Sequence, residues 1–173
     1  TYGVGEMIRD GISQGCRKFI VGIGGSATND GGVGMLQALG YGFLYRDGHQ
    51  VPYGAAGLKK LEKITDEFVI PELEECGFRV ACDVTNVLCG EKGCSAVFGP
   101  QKGATPPMIA EMDQWLRRYA SLSQEKYPEA NPEQEGTGAA GGLGFAFLTF
   151  TNAALESGID IVLEETGMEK YIR

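Results

Sequence analysis

Apolar residues recur every four positions at Val4, Ile8 and Ile12 and stop at Gly15, so the spacing predicts a helix over residues 4–14. After the basic turn Arg17-Lys18, the branched run Phe19-Ile20-Val21-Gly22-Ile23 is too short for a helix and reads as a buried strand. A polar, glycine-rich loop follows, and Val33 to Leu39 predicts a helix ending at Gly40. Tyr41 to Tyr45 alternates as a strand, with Asp47-Gly48 as a hairpin signal. Leu58 to Ile64 is a short amphipathic piece with solvated lysines, and Phe78 to Cys82 is a strand that ends on Asp83.

An irregular stretch is expected from Thr85 to Gly103. Thr105 as cap and Pro106 at the first position open a helix whose face carries Met108, Met112, Trp115 and Tyr119. Residues 128–138 form an exposed connection. Gly141 to Ser157 is apolar almost all round, with Leu143, Phe147, Phe150 and Ala154 on one stripe, and predicts a buried helix. Ile159 to Leu163 is a last candidate strand. This alternation is the grammar of an α/β fold, a mixed sheet flanked by helices, and neither a repeat nor a long linker divides the 173 residues, so one domain is expected. A first residue other than methionine, and an end just past a fresh element, point to an excised internal piece.

Composition narrows the function classes. At 43% hydrophobic and 22% charged, the chain has the means for a packed core. With 23 acidic against 15 basic residues the net charge is −8, which excludes the basic face that nucleic acid requires. The apolar runs are shorter than the roughly 18 residues of a membrane span, and no basic-then-apolar leader opens the sequence, so a cytoplasmic protein is expected. Five cysteines without a C-x-x-C pair read as free thiols, and the lone His49, beside Asp47-Gly48, reads as a solvated loop residue, leaving no histidine-based triad.

Glycine is the exception: 27 of 173 residues, roughly twice the usual share of about 7%, in clusters at 22–34, 90–103 and 136–144. The loop Gly24 to Gly32 carries the strongest chemical signal. Its glycines let several amides face one anion, the following helix adds a positive dipole end, and Ser26, Thr28 and Asn29 add polar side chains. Asp30 offers a magnesium ligand or proton acceptor, or alternatively a helix cap. Asp83, at a strand's carboxyl end, is either a site acid or an Asx turn. Lys102, between glycines before a helix, is either a phosphate partner or a solvated side chain. The cluster at 138–144 permits tight helix packing or close approach of a ligand.

A P-loop is absent, because Gly32 is followed by Val33 where lysine is needed. Gly22-x-Gly24-x-x-Ala27 matches a dinucleotide fingerprint with Asp47 downstream, although polar and glycine residues intervene before the helix. A NAD-dependent oxidoreductase and a non-catalytic ligand-binding module are therefore the competing readings.

Four segments, in order and spacing, resemble the bacterial-type glycerate kinase family: Ile23 to Gly32, Ala81 to Asn86 with Leu88-Cys89-Gly90, Phe98 to Thr105, and Gly138 to Gly144. The resemblance covers essentially the whole chain and implies the central part of a two-domain α/β kinase. It implies transfer of the γ-phosphoryl group of ATP, with Mg2+, to a hydroxyl of D-glycerate, giving phosphoglycerate. The opening and closing segments of complete family members are missing, so the full catalytic set is not expected here. On this basis Asp30, Asp83 and Lys102 are candidate catalytic residues, with Asp30 and Asp83 as candidate Mg2+ ligands. Gly24, Gly25, Ser26, Thr28, Asn29, Gly31, Gly32, Asn86 and Gln101 are candidates for binding phosphate or substrate. D-Glycerate and ATP are the expected partners, without nucleic acid or membrane, and a homo-oligomer is open.

Overall fold

The computed structural model describes residues 1–171. Helix α1 (Tyr2–Ser13) turns Gly5, Ile8 and Ile12 inward and packs on α2 (Val33–Ala38). That approach is close: a side chain at Gly5 would collide with the Met35 carbonyl and Ala38. Three strands, β1 (Lys18–Gly22), β4 (Gly77–Ala81) and β5 (Asn152–Glu156), form a parallel sheet in the order β1-β4-β5. The antiparallel pairing lies apart, in a two-stranded ribbon of β2 (Gly42–Leu44) and β3 (Lys63–Thr65).

The remaining helices are α3 (Cys94–Phe98), α4 (Pro106–Lys126), α5 (Ala139–Phe150) and α6 (Gly158–Thr166). Aromatic rings of α4, α5, β4 and the residue just before β2 fill the centre: Tyr119 meets Phe145 at 5.3 Å, Tyr41 meets Phe150 at 5.2 Å and Phe78 meets Phe147 at 5.6 Å between centroids. Each such side chain contributes about 1.5–3 kcal/mol by leaving water, which makes this cluster the main anchor of the fold.

Four expectations change. β1 is an edge strand with Ile20 55% exposed, so its apolar run is not buried on both faces. The stretch after Thr85 contains α3 and a 3-10 turn at Pro100–Lys102. The apolar run from Gly141 to Ser157 is a helix only to Phe150, where Thr151 turns extended (φ −140°, ψ 170°) and β5 begins. Thr and Asn at 151–152 are poor helix formers, and sheet pairing with β4 wins there. Ile159 to Leu163 is helical, within α6. A five-residue stretch with four apolar positions fits either period, and here only Ile161 of the helix is buried.

On α4 the buried stripe is Met112, Leu116, Tyr119, Ala120 and Ser123, rotated so that Met108 is exposed. Thr105 opens this helix through its carbonyl, which accepts from Ile109 N–H, while its side chain makes no cap bond. The five cysteines are free thiols, and His49 lies exposed in its turn with Nδ1 3.2 Å from Asp47. No helix among the described residues is long and apolar enough to cross a membrane.

Candidate functional site

The parallel strands end in register at Gly22, Ala81 and Glu156, so the segments that follow them leave the sheet along one edge. Ligands gather at that edge in sheets of this kind. A cleft of about 310 Å³ lies there, between Gly24, Gly25 and Ser26 after β1, Cys82 and Asp83 after β4, and Gln101, Lys102 and Ala140 opposite.

The loop from Gly24 to Gly32 divides in two. Its first half is exposed or half-buried at the cleft, whereas Asp30, Gly31 and Gly32 are buried. Among the described residues, no backbone N–H from Gly24 to Asp30 donates to a protein acceptor. Amides are obligatory donors, and a consecutive set of unengaged ones around a left-handed glycine (Gly25, φ 64°) forms a cradle suited to an anion.

Lys102 brings positive charge to that cradle. Its ammonium donates to the Thr28 carbonyl at 2.6 Å and to Ser26 Oγ at 3.3 Å. Partial burial lowers its pKa from the usual lysine value, against the opposing influence of Cys94 and Asp30. The short turn Pro100–Lys102, closed by left-handed Gly103 (φ 87°), directs the side chain back to the loop.

Asp83 leaves β4 exposed, with Oδ1 accepting from Gly158 N–H at 3.0 Å. The carboxylate therefore holds the start of α6 while Oδ2 makes no hydrogen bond among the described residues. Gln101 lines the cleft and is exposed.

Asp30 is not brought to the cleft. It is 2% exposed, and each carboxylate oxygen already accepts at least two donors. Thr28 Oγ1 (2.8 Å) and Gly32 N–H (3.1 Å) meet Oδ1, while Thr1 Oγ1 (2.8 Å) and Gly34 N–H (3.4 Å) meet Oδ2. In this arrangement the Asp30 carboxylate organises the loop and the start of α2. Among the described residues no three His, Cys, Asp or Glu side chains gather as a metal site.

Gly31 and Gly32 are packing positions: a side chain at Gly31 would strike the Tyr119 ring, and one at Gly32 would strike Ala146. Asn29 turns away from the cleft, donating to Ser95 Oγ at 2.8 Å. Asn86 lies outside the lining too, donating to the Lys92 carbonyl at 3.0 Å and accepting Gly138 N–H at 2.9 Å. The structure thus brings together Gly24, Gly25, Ser26, Asp83, Gln101 and Lys102, with Thr28 contributing its carbonyl.

Two contributors lie outside the named candidates. Ala140 lines the cleft in a left-handed conformation (φ 50°, ψ 43°), followed by Gly141 and Gly142 at φ 66° and 95°. The density of glycines around it was the available signal. Ser95, wholly buried, anchors Asn29, and no local pattern marks it. The third glycine cluster packs against the first: Gly31 N–H donates to the Gly141 carbonyl at 2.9 Å, and a side chain at Gly141 would collide with the Thr28 carbonyl.

The dinucleotide reading lacks its geometry. No helix opens from Gly22-x-Gly24-x-x-Ala27, since α2 starts only at Val33, and Asp47 sits in the exposed hairpin turn.

A family model described as the glycerate kinase family matches residues 1–173. The chain is 44% identical over its whole length to a glycerate kinase of Haemophilus influenzae, covering 46% of that protein. It is 44% identical over 99% of its length to a glycerate 2-kinase of Escherichia coli, covering 45% of it. A crystal structure of a putative glycerate kinase 2 from Salmonella typhimurium superposes with a TM-score of 0.94 at 46% identity, over 98% of this chain and 45% of that one. The chain belongs to the glycerate kinase family. It spans a little under half the length of these relatives.

Proposed function

We propose that the intact protein is a glycerate kinase that transfers the γ-phosphoryl group of ATP to a hydroxyl of D-glycerate, and that this chain supplies one wall of its cleft. Membership of the family supports the reaction class. The observation that carries the site is the set of unengaged amides from Gly24 onward beneath the Lys102 ammonium. Phosphoryl transfer asks a protein mainly for positioning and for neutralising charge on equatorial oxygens, and donors already fixed in place do both.

In this reading the substrate hydroxyl oxygen forms the new P–O bond, the bond to the ADP oxygen breaks, and the hydroxyl proton passes to Asp83 Oδ2. The amides of Gly24 to Ser26 and Lys102 hold either the transferring group or the glycerate carboxylate, and Gln101 adds a polar contact. Magnesium, when bound with the nucleotide, would offset phosphate charge, and Asp83 Oδ2 would hold it only as the alternative to taking the proton. The name of the Escherichia coli relative favours the 2-hydroxyl as acceptor. The same reading places the enzyme in the cytoplasm with two small-molecule substrates.

The test is turnover by the full-length protein with D-glycerate and Mg-ATP, with phosphorus NMR to separate 2- from 3-phosphoglycerate. ADP release that depends on D-glycerate, with 2-phosphoglycerate as product, is expected. Binding of D-glycerate without turnover would replace the proposal with a non-catalytic module.

A further inference from the structure

A second open groove, of about 1030 Å³, shares no lining residue with the glycine cleft. It lies between the turn after β2, the 3-10 turn Ala55–Lys60 and the exposed face of α4. Four basic side chains line it, Arg46, Lys59, Lys60 and Arg118, against two acids, Asp47 and Glu62. In a chain of net charge −8 this is a local reversal of sign.

The acids are engaged. Glu62 pairs with Arg118 at 2.9 Å, and Asp47 accepts from the His49 backbone and approaches its ring. Arg46 and Lys60 form no ion pair among the described residues, and both are exposed. Lys59 extends over the ring of Trp115, with Nζ 5.8 Å from the centroid, so indole steadies an ammonium beside the groove without neutralising it. Three positive charges therefore face one basin beside the only tryptophan of the chain.

Like charges lining one groove repel one another, and an anion that bridges them relieves the repulsion and gains charge-assisted hydrogen bonds. A single carboxylate carries one negative charge and would leave most of this charge uncompensated. A chain of phosphates has the charge and the acceptor oxygens to meet all three. We propose that this groove is an accessory binding site for a polyphosphate-bearing small molecule, with Lys59, Lys60 and Arg46 on the phosphates and Trp115 as the flat wall beside them. This inference goes beyond the kinase reading and does not rest on it.

The test is calorimetry on the full-length protein with inorganic tripolyphosphate and with ADP, each at low and high salt. It is run on the wild type, on Lys59→Ala/Lys60→Ala, on Arg46→Ala and on Lys102→Ala. Binding of tripolyphosphate that weakens at least fivefold in the double variant and in Arg46→Ala, persists in Lys102→Ala and fades with salt is expected. These positions are exposed, and unchanged melting temperatures confirm that the variants fold. Trp115→Leu separates the two sources: loss of ADP affinity with tripolyphosphate unaffected marks a nucleotide, and no effect on either marks an inorganic chain. Tripolyphosphate heats that are equal in wild type and double variant, or that vanish in Lys102→Ala alone, would overturn the proposal.

Discussion

The Lys102 ammonium lies 2.6 Å from the carbonyl oxygen of Thr28, joining segments far apart in sequence. This contact fixes the open half of the glycine loop from above, while Asp30 fixes the buried half from below through Thr28 Oγ1 and two amides. Thr28 is the hinge between the two: its carbonyl serves the cleft side and its hydroxyl the core side. The cradle of unengaged amides is held in shape by these two opposite charges, which supports treating it as preorganised.

Replacing Lys102 by methionine removes both the latch and the counter-charge. Turnover of the full-length protein with D-glycerate and Mg-ATP is expected to fall roughly a hundredfold or more, with arginine restoring part of it. Burial lowers the Lys102 pKa, so its charged form is lost as pH rises through a value below the ordinary lysine range. The alkaline limb of the pH–rate profile therefore lies on the low side of about 10.4 and moves upward in Lys102→Arg, whose guanidinium does not titrate there. A profile identical in both proteins would remove Lys102 from the chemistry.

Asp30→Asn and Asp83→Asn should separate cleanly. An amide at position 30 turns an NH2 group toward donors on one side of a buried site, and about 2–4 kcal/mol of stability is expected to go with it. Position 83 is exposed and an amide oxygen still accepts from Gly158 N–H, so its melting temperature should change little while kcat drops by about two orders of magnitude. Thermal denaturation and steady-state rates on the same preparations decide this. An Asp30→Asn protein with native stability and lost turnover would assign Asp30 a direct role in the reaction.

The left-handed run at 140–142 offers a test with opposite signs. Gly141→Ala places a side chain against the Thr28 carbonyl at φ 66°, and should cost about 3 kcal/mol or more. Ala140→Gly relieves a strain of about 1–2 kcal/mol, partly offset by the greater freedom of glycine in the unfolded chain, so its melting temperature should hold or rise. Denaturant titration of both variants measures the difference.

Much of this was legible in the sequence because it is local. The branched run at 19–23, the caps around Pro106 and the glycine loop each announce themselves within a few residues. The cleft's composition was half legible for the same reason: Gly24 to Ser26, Asp83 and Lys102 each follow a strand or precede a helix. What escaped depends on partners far along the chain. Asp30 looks like a site acid until Thr1, Gly32 and Gly34 are seen to surround it, and Asn29 looks free until Ser95 arrives. Residues 152–163 carry no local mark of their elements, because β5 exists only by pairing with β4 and α6 starts where Asp83 receives it.

The cysteines give a prediction independent of catalysis. Burial pushes the thiol pKa of Cys89 up to about 12 and of Cys94 up to about 11, while Cys82, half-buried at the cleft, is raised by the same cause and also donates to the Val84 carbonyl. The thiolate is the reactive species, so at neutral pH only a minute fraction of either buried thiol is available, and access is closed as well. Cys16 is exposed. Iodoacetamide at pH 7.5, followed by mass spectrometry over time, should therefore label Cys16 first and Cys82 slowly, leaving Cys89 and Cys94 unmodified until the protein unfolds. Because Cys82 borders the cleft, Mg-ATP together with D-glycerate should slow its labelling while leaving Cys16 unchanged. Equal protection of both, or none at Cys82, would place the substrates elsewhere.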